Sequence, residues 1–187
     1  PPYTDGALAP GRQYHYRVQA AYPETDSQLT AEATATIALP ASTLTGLDAS
    51  VRGEITVSYD VPDVVQDNAP GATIRVFRST DGSLGGEVAA IDDLSATSWT
   101  DTGLDDGTEY HYTVRLLATD VTADSGQQSA KTVLPAPTDL SAVDVGDTMA
   151  DITWTATHDT GQTRIEYRPT DASTWTVSET VARTTES

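Results

Sequence analysis

The chain repeats itself at a spacing near 95 residues, and that period limits what it can fold into. The run Leu8-Ala9-Pro10-Gly11-Arg12-Gln13-Tyr14-His15-Tyr16-Arg17-Val18 returns as Leu104-Asp105-Asp106-Gly107-Thr108-Glu109-Tyr110-His111-Tyr112-Thr113-Val114, each matched residue 96 positions on. Leu39-Pro40-Ala41 returns after 95 as Leu134-Pro135-Ala136, and Glu54-Ile55-Thr56-Val57 after 97 as Asp151-Ile152-Thr153-Trp154. Phe77-Arg78-Ser79-Thr80-Asp81 matches Tyr167-Arg168-Pro169-Thr170-Asp171 after only 90, so the stretch near Pro62–Pro70 is about seven residues longer than its counterpart. Solenoids repeat every 20–45 residues or so, whereas this period is that of a whole domain.

Within each repeat the pattern is that of strands. Ile55-Thr56-Val57-Ser58-Tyr59 alternates apolar and polar residues, as do Tyr110–Leu116 and Ala33–Ile37. Turn residues separate these runs at Ala69-Pro70-Gly71, Thr80-Asp81-Gly82, Asp105-Asp106-Gly107 and Asp124-Ser125-Gly126. No helical stripe of ten residues or more is visible. The expected class is all-β with short loops.

Three motifs, in order, resemble the fibronectin type III domain. They are Trp154 on a second strand, an aromatic–Arg pair closing a third (Phe77-Arg78 and Tyr167-Arg168), and the Leu-x-x-Gly-x-x-Tyr-x-Tyr-x-Val run into a sixth. The resemblance implies tandem Ig-like β-sandwiches. In them Leu8 and Leu104 plug the sandwich end, and the Tyr14 and Tyr110 hydroxyls bond back to nearby backbone. It places Tyr167 and Trp154 as structural residues. Val57 departs from the pattern, standing where the family has Trp, and Tyr59 with Trp99 is expected to fill that gap. Residues 1–39 then supply the C-terminal strands of one domain, 40–134 a complete domain and 135–187 the N-terminal strands of a third. The outer two are incomplete, which is expected of a window on a longer protein. Short proline-bearing connectors at Leu39-Pro40 and Leu134-Pro135 predict semi-rigid stacking into a rod.

Composition narrows the environment. Twenty Asp and eight Glu stand against nine Arg and one Lys, for a net charge of −18. Such a chain has no use for a phosphate backbone or an anionic leaflet, so neither nucleic acid nor membrane insertion is expected. No apolar run approaches the roughly 20 residues of a membrane helix. The absence of Cys excludes disulfides, thiolate metal sites and a Cys nucleophile. The self-repulsion is screened within roughly 10 Å at 0.1 M salt and about 3 Å at 1 M. The composition resembles that of proteins from extremely halophilic archaea and their viruses.

Candidate chemistry is sparse. His15 and His111 alternate outward between inward tyrosines and lie a full domain apart. His158 sits beside Asp159 with no nucleophile evident. Asp92-Asp93 and Asp105-Asp106 are turn neighbours whose carboxylates diverge, unlike the facing pair of a glycosidase. Asp60, Asp63 and Asp67, on the long loop with Asn68, are weak calcium candidates, short of the six to eight oxygens calcium takes. Arg52-Gly53-Glu54 resembles an adhesion tripeptide but ends in Glu and opens a strand. Asn68-Ala69-Pro70 is no glycosylation acceptor. No catalytic residue and no cofactor is expected.

The expected role is structural and non-catalytic: a rod-like spacer or presentation segment in a virion tail or fibre of a halophilic archaeal virus. Its partners would be other subunits of a large assembly, homo-oligomeric, with a host surface receptor at one end. The alternatives are a cell-surface adhesin or S-layer-associated protein of a halophile, and the accessory domains of a secreted polysaccharide-degrading enzyme. All three place the chain on a virion or outside the cell.

Overall fold

The computed structural model describes residues 2–21, 23, 25–119, 121–157 and 162–182. The chain divides into two compact units, Pro1–Val133 and Leu134–Ser187.

The first unit opens with a hairpin, β1 (Gln13–Tyr16) and β2 (Ala33–Thr36), in the register Tyr14 opposite Ala35. A complete two-sheet sandwich follows. One sheet holds β3 (Thr43–Asp48), β4 (Glu54–Asp60) and β7 (Ser98–Thr102), in the order β3-β4-β7. The other runs β10-β8-β5-β6, from β5 (Thr73–Ser79), β6 (Gly86–Ile91), β8 (Glu109–Ala118) and β10 (Gln128–Lys131), and β9 (Val121–Asp124) also pairs with β8. Every pairing is antiparallel. Three strands facing five, with β9 and β10 both pairing with β8 and chain-distant β8 next to β5, is the strand order of an Ig-like, fibronectin type III sandwich.

Alternation explains why the sheets close. Ile55, Val57 and Tyr59 share one face of β4; Ile74 and Val76 share one face of β5; Tyr110, Tyr112, Val114, Leu116 and Ala118 share one face of β8. All are buried, and each large aliphatic or aromatic side chain so removed from water contributes about 1.5–3 kcal/mol. At Val57, where the family pattern has Trp, the space is shared by buried Tyr59 and by half-buried Trp99, which is paired with Val57 across β4 and β7.

Chain order along the last edge is interrupted. β9 pairs with the C-terminal half of β8 and β10 with the N-terminal half. Between them Ser125 stitches the ladder: its N–H donates to the Val114 carbonyl at 2.8 Å, and its hydroxyl accepts from the Val114 N–H at 2.9 Å.

The longer stretch after Asp60 differs from expectation. It is a six-residue helix, α1 (Asp63–Asn68), not an extended loop. The reason is a helical spacing too short to read as a stripe: Val61, Val65 and Ala69 recur every four residues and all three are buried. Pro62, whose fixed φ suits a helix start, precedes it, and the Gln66 side-chain amide donates to the Val61 carbonyl at 2.7 Å.

The second unit holds two antiparallel hairpins, β11 (Thr138–Val145) with β12 (Ala150–Thr155), and β13 (Gln162–Tyr167) with β14 (Thr176–Ala182). Their pairings repeat those of β3 with β4 and β5 with β6. Leu140, Val143, Ile152 and Val177 remain exposed on this unit.

Core packing makes a direct prediction for urea denaturation of the whole chain. Ile74→Ala should cost about 2–5 kcal/mol, while Val51→Ala on the surface should stay within about 0.5 kcal/mol. The buried Tyr59 hydroxyl has no hydrogen-bond partner among the described residues. Tyr59→Phe should therefore be neutral or stabilising, because it removes a desolvated polar atom at nearly constant volume.

Candidate functional site

The residues singled out by the repeat occupy matching places. The Ala9 N–H donates to the Tyr14 hydroxyl at 2.9 Å, and the Asp105 N–H donates to the Tyr110 hydroxyl at 3.1 Å. Both hydroxyls thus hold the turn that precedes their strand. Leu104 is buried beneath the turn and Leu8 is half-buried. Trp154 is half-buried on β12, whereas Tyr167, expected as a structural residue, is 55% exposed. The difference has a physical basis: in the first unit β5 is covered by β8, and the second unit has no described strand in that position beside β13.

The calcium candidates do not converge. Asp60 ends β4, Asp63 and Asp67 sit on α1, and no three His, Asp or Glu side chains among the described residues form a group able to hold a metal ion. Asp63 and Asp67 share a face of α1 at i,i+4, but together with Asp60 they do not form such a group.

Several of the other acids are tied into local structure. Asp93 Oδ1 accepts from the Ser95 N–H at 2.9 Å and from its hydroxyl at 2.6 Å, and these bonds hold the carboxyl below its usual range. Asp106 is gripped by Arg52 through three contacts of 2.6–3.0 Å, which likewise lower its pKa. Arg52, which opens the Arg52-Gly53-Glu54 run, thus pairs with Asp106 while its side chain stays 64% exposed. His15 faces outward, with Nδ1 2.7 Å from Glu32 Oε1. His158 and Asp159 lie outside the described residues.

The polar group that sequence reasoning missed lies between the sheets. Asp101, on β7, is 5% exposed. Its Oδ2 accepts the Tyr112 hydroxyl from β8 at 2.8 Å and Arg78 Nη1 from β5 at 2.8 Å. The Arg78 guanidinium also lies over the Tyr110 ring, 5.4 Å from its centroid. Burial opposes the Arg78 charge, yet the hydrogen bond and field of Asp101 outweigh it and raise its pKa. Burial, then the Asp101 carboxylate, push the Tyr112 phenol far up. A signal was present: Asp5 precedes Tyr16 as Asp101 precedes Tyr112, and the Tyr16 hydroxyl donates to Asp5 Oδ2 at 3.0 Å.

This arrangement fastens one sheet to the other. A nucleophile or general base needs an accessible lone pair within reach of a substrate, and Asp101 points instead into a packed core with its Oδ2 engaged twice. The site is a structural bolt.

These features define a class: a non-local Greek-key sandwich of the fibronectin type III kind, with corner tyrosines and an inter-sheet ion pair. No family model matches the chain. Exoglucanase B of Cellulomonas fimi is similar, 28% identical over 181 residues that cover 85% of this chain and 16% of that protein. The chain thus spans about a sixth of the length of that curated relative. Among solved structures, the FN1–FN3 domains of chicken CNTN1 match at 12% identity, 94% of this chain, 63% of that one and a TM-score of 0.42. Domains d3–d4 of the rat CD45 extracellular region match at 17% identity, 71% of this chain, 70% of that one and a TM-score of 0.41. A β-1,2-glucanase from Parabacteroides distasonis matches at 20% identity, 54% of this chain, 15% of that one and a TM-score of 0.38. The fold assignment rests on strand order and register, not on these scores.

Breaking the bolt should be costly. Asp101→Asn leaves a half-buried cation without its carboxylate and should lower stability by about 2–4 kcal/mol in urea denaturation, on the low side because Arg78 keeps 32% of its side chain exposed. The pair Arg78→Met with Asp101→Leu should recover much of that loss. Alkali should act in a fixed direction. Tyr59 and Tyr112 both have raised pKa values when folded. The unfolded chain therefore releases protons first, and stability should fall as pH rises above about 10. Tyr112→Phe should flatten that fall.

Proposed function

We propose that this chain is a non-catalytic accessory segment of an extracellular polysaccharide-degrading protein. In this role its fibronectin type III-like modules space and orient a catalytic domain encoded elsewhere in the same polypeptide. One observation supports the reading: the similarity to Exoglucanase B covers 85% of this chain, more than either compact unit supplies, and so crosses the Val133–Leu134 division. The similarity is therefore not confined to the first unit. Support also comes from the site, where Asp101, Arg78 and Tyr112 are used up in holding sheets together. Sandwiches of this kind host many roles, so the role is argued from the relative and from the site.

The virion tail or fibre role draws no support from the relatives, and the weight passes to the enzyme-accessory alternative. Spacing and presentation remain the physical task in either setting.

The test uses the parent polypeptide that contains this chain. That polypeptide should hydrolyse a glucan, and the 187-residue chain alone should not. Deleting the chain should leave turnover of soluble oligosaccharides near its starting value and lower turnover of insoluble glucan several-fold. A parent without glycosidase activity, or hydrolysis by the isolated chain, overturns the reading.

The charge makes a separate prediction. With −18 on 187 residues, self-repulsion dominates the salt response. The melting temperature of the chain should climb progressively from 0.1 to about 3 M KCl, as screening shortens the range of repulsion. A flat or falling trend in calorimetry would refute adaptation to brine.

A further inference from the structure

The turn that leads into β1 meets the far end of β8 through a residue with no side chain. Gly11 has φ of +70°, and a Cβ placed on it would stand 2.8 Å from the Ala118 Cβ and 3.5 Å from Leu39 Cδ1. Carbon atoms in van der Waals contact sit about 3.5–4.0 Å apart. Gly11, Pro10, Leu39 and Ala118 are all buried. Gly11 belongs to the first repeat and Ala118 to the second, so the contact joins successive modules.

A second observation falls at the same place. Ala118, at the end of β8, pairs with Val121 at the start of β9. Thr119, directly after β8, has φ of +52°. Left-handed backbone is unfavourable for a β-branched residue and persists where its surroundings hold it. Thr119 and Val121 line a crevice of about 650 Å³ together with Gly11, Tyr14 and Thr36. This strained residue therefore stands at the seam between the first hairpin and the sandwich.

We propose that the Pro10–Gly11 turn is a docking seat for the end of β8 in the next module, and that it fixes the angle between them. Its partner is this chain's own neighbouring repeat. Gly11 is required twice: for its left-handed backbone, and for the approach to Ala118. Leu39, at the start of the connector, closes the seat from the chain side, so the joint is held by packing as well as by Pro40. This inference is independent of the enzyme-accessory reading, because it concerns how two modules are joined and not what they serve.

The chain has no cysteine, so two introduced ones give unique spin-label sites. Thr34→Cys on β2 and Ala90→Cys on β6 are both exposed and lie on the two modules. Double electron–electron resonance on the labelled full chain should give a single narrow distance distribution. Gly11→Ala should broaden it at least about two-fold, and adding Ala118→Gly should narrow it again. Gly103→Ala is the control: Gly103 has φ of +73°, but a Cβ there would meet nothing within 4 Å, so it carries the backbone penalty without the clash. Three results would each overturn the proposal: a broad distribution in the parent, Gly11→Ala no broader than Gly103→Ala, or no recovery with Ala118→Gly. Thermal melting of each variant reports separately on the sandwich. A variant whose sandwich still melts near the parent temperature, yet whose distances spread, has lost the joint alone.

Discussion

Everything in the first unit depends on the meeting of two apolar faces. Ile55, Val57 and Tyr59 from β4 lie against Ile74 and Val76 from β5 and Tyr112, Val114 and Leu116 from β8. None of these strands could keep its inner face dry alone, since a hairpin buries too little to fold in water. β5 and β8 are distant in sequence, yet they pair over seven residues, from Thr73 with Leu117 to Ser79 with His111. The fold thus rests on non-local contacts, and its register is fixed because a one-residue slip would turn every one of these side chains to solvent.

Across that apolar interface runs one polar connection. Burying Asp101 is unfavourable in itself, and Arg78 and Tyr112 offset the cost only when both donors are in place. The three side chains come from three strands and both sheets. They can meet only when the sheets are stacked in one register, so the pairing selects that arrangement over sliding alternatives while adding little net stability. Surface pairs such as Arg115 with Asp124 have no such role, since they join adjacent strands that the ladder already holds.

Legibility in the sequence followed locality. The strands and corner tyrosines were readable because alternation and a short turn are encoded within a dozen residues, and the 96-residue match placed Tyr14 and Tyr110 at equivalent points. Helix α1 was overlooked because its apolar face is only three residues, Val61, Val65 and Ala69, fewer than a stripe needs to stand out. The Asp–Tyr half of the bolt left a repeated trace, Asp5 with Tyr16 and Asp101 with Tyr112. Arg78 also recurs, in the pairs Phe77-Arg78 and Tyr167-Arg168, but its partner Asp101 was not readable, because it is reached across the sandwich and not along the chain. Gly11 was legible as a turn residue, but the neighbour that makes it indispensable, Ala118, lies 107 residues away. Exposure of Tyr167 was likewise beyond local pattern, since the residue matches the Phe77 position and differs only in what covers it.

The packing of the sandwich also shapes what its surface offers. A binding cleft requires polar groups left unsatisfied in the free state, or an apolar hollow left unfilled. In the complete sandwich the inner faces are filled by their own side chains, and the buried acid is consumed by its two donors. What the surface retains is charge, dispersed along the strands and turns and largely unpaired by the ten basic residues. Such a surface repels its own copies and anionic polymers while remaining well hydrated. A module of this kind is suited to hold distance and orientation between other parts of a protein. The filled inner faces and the doubly engaged acid together hold the geometry of the sandwich.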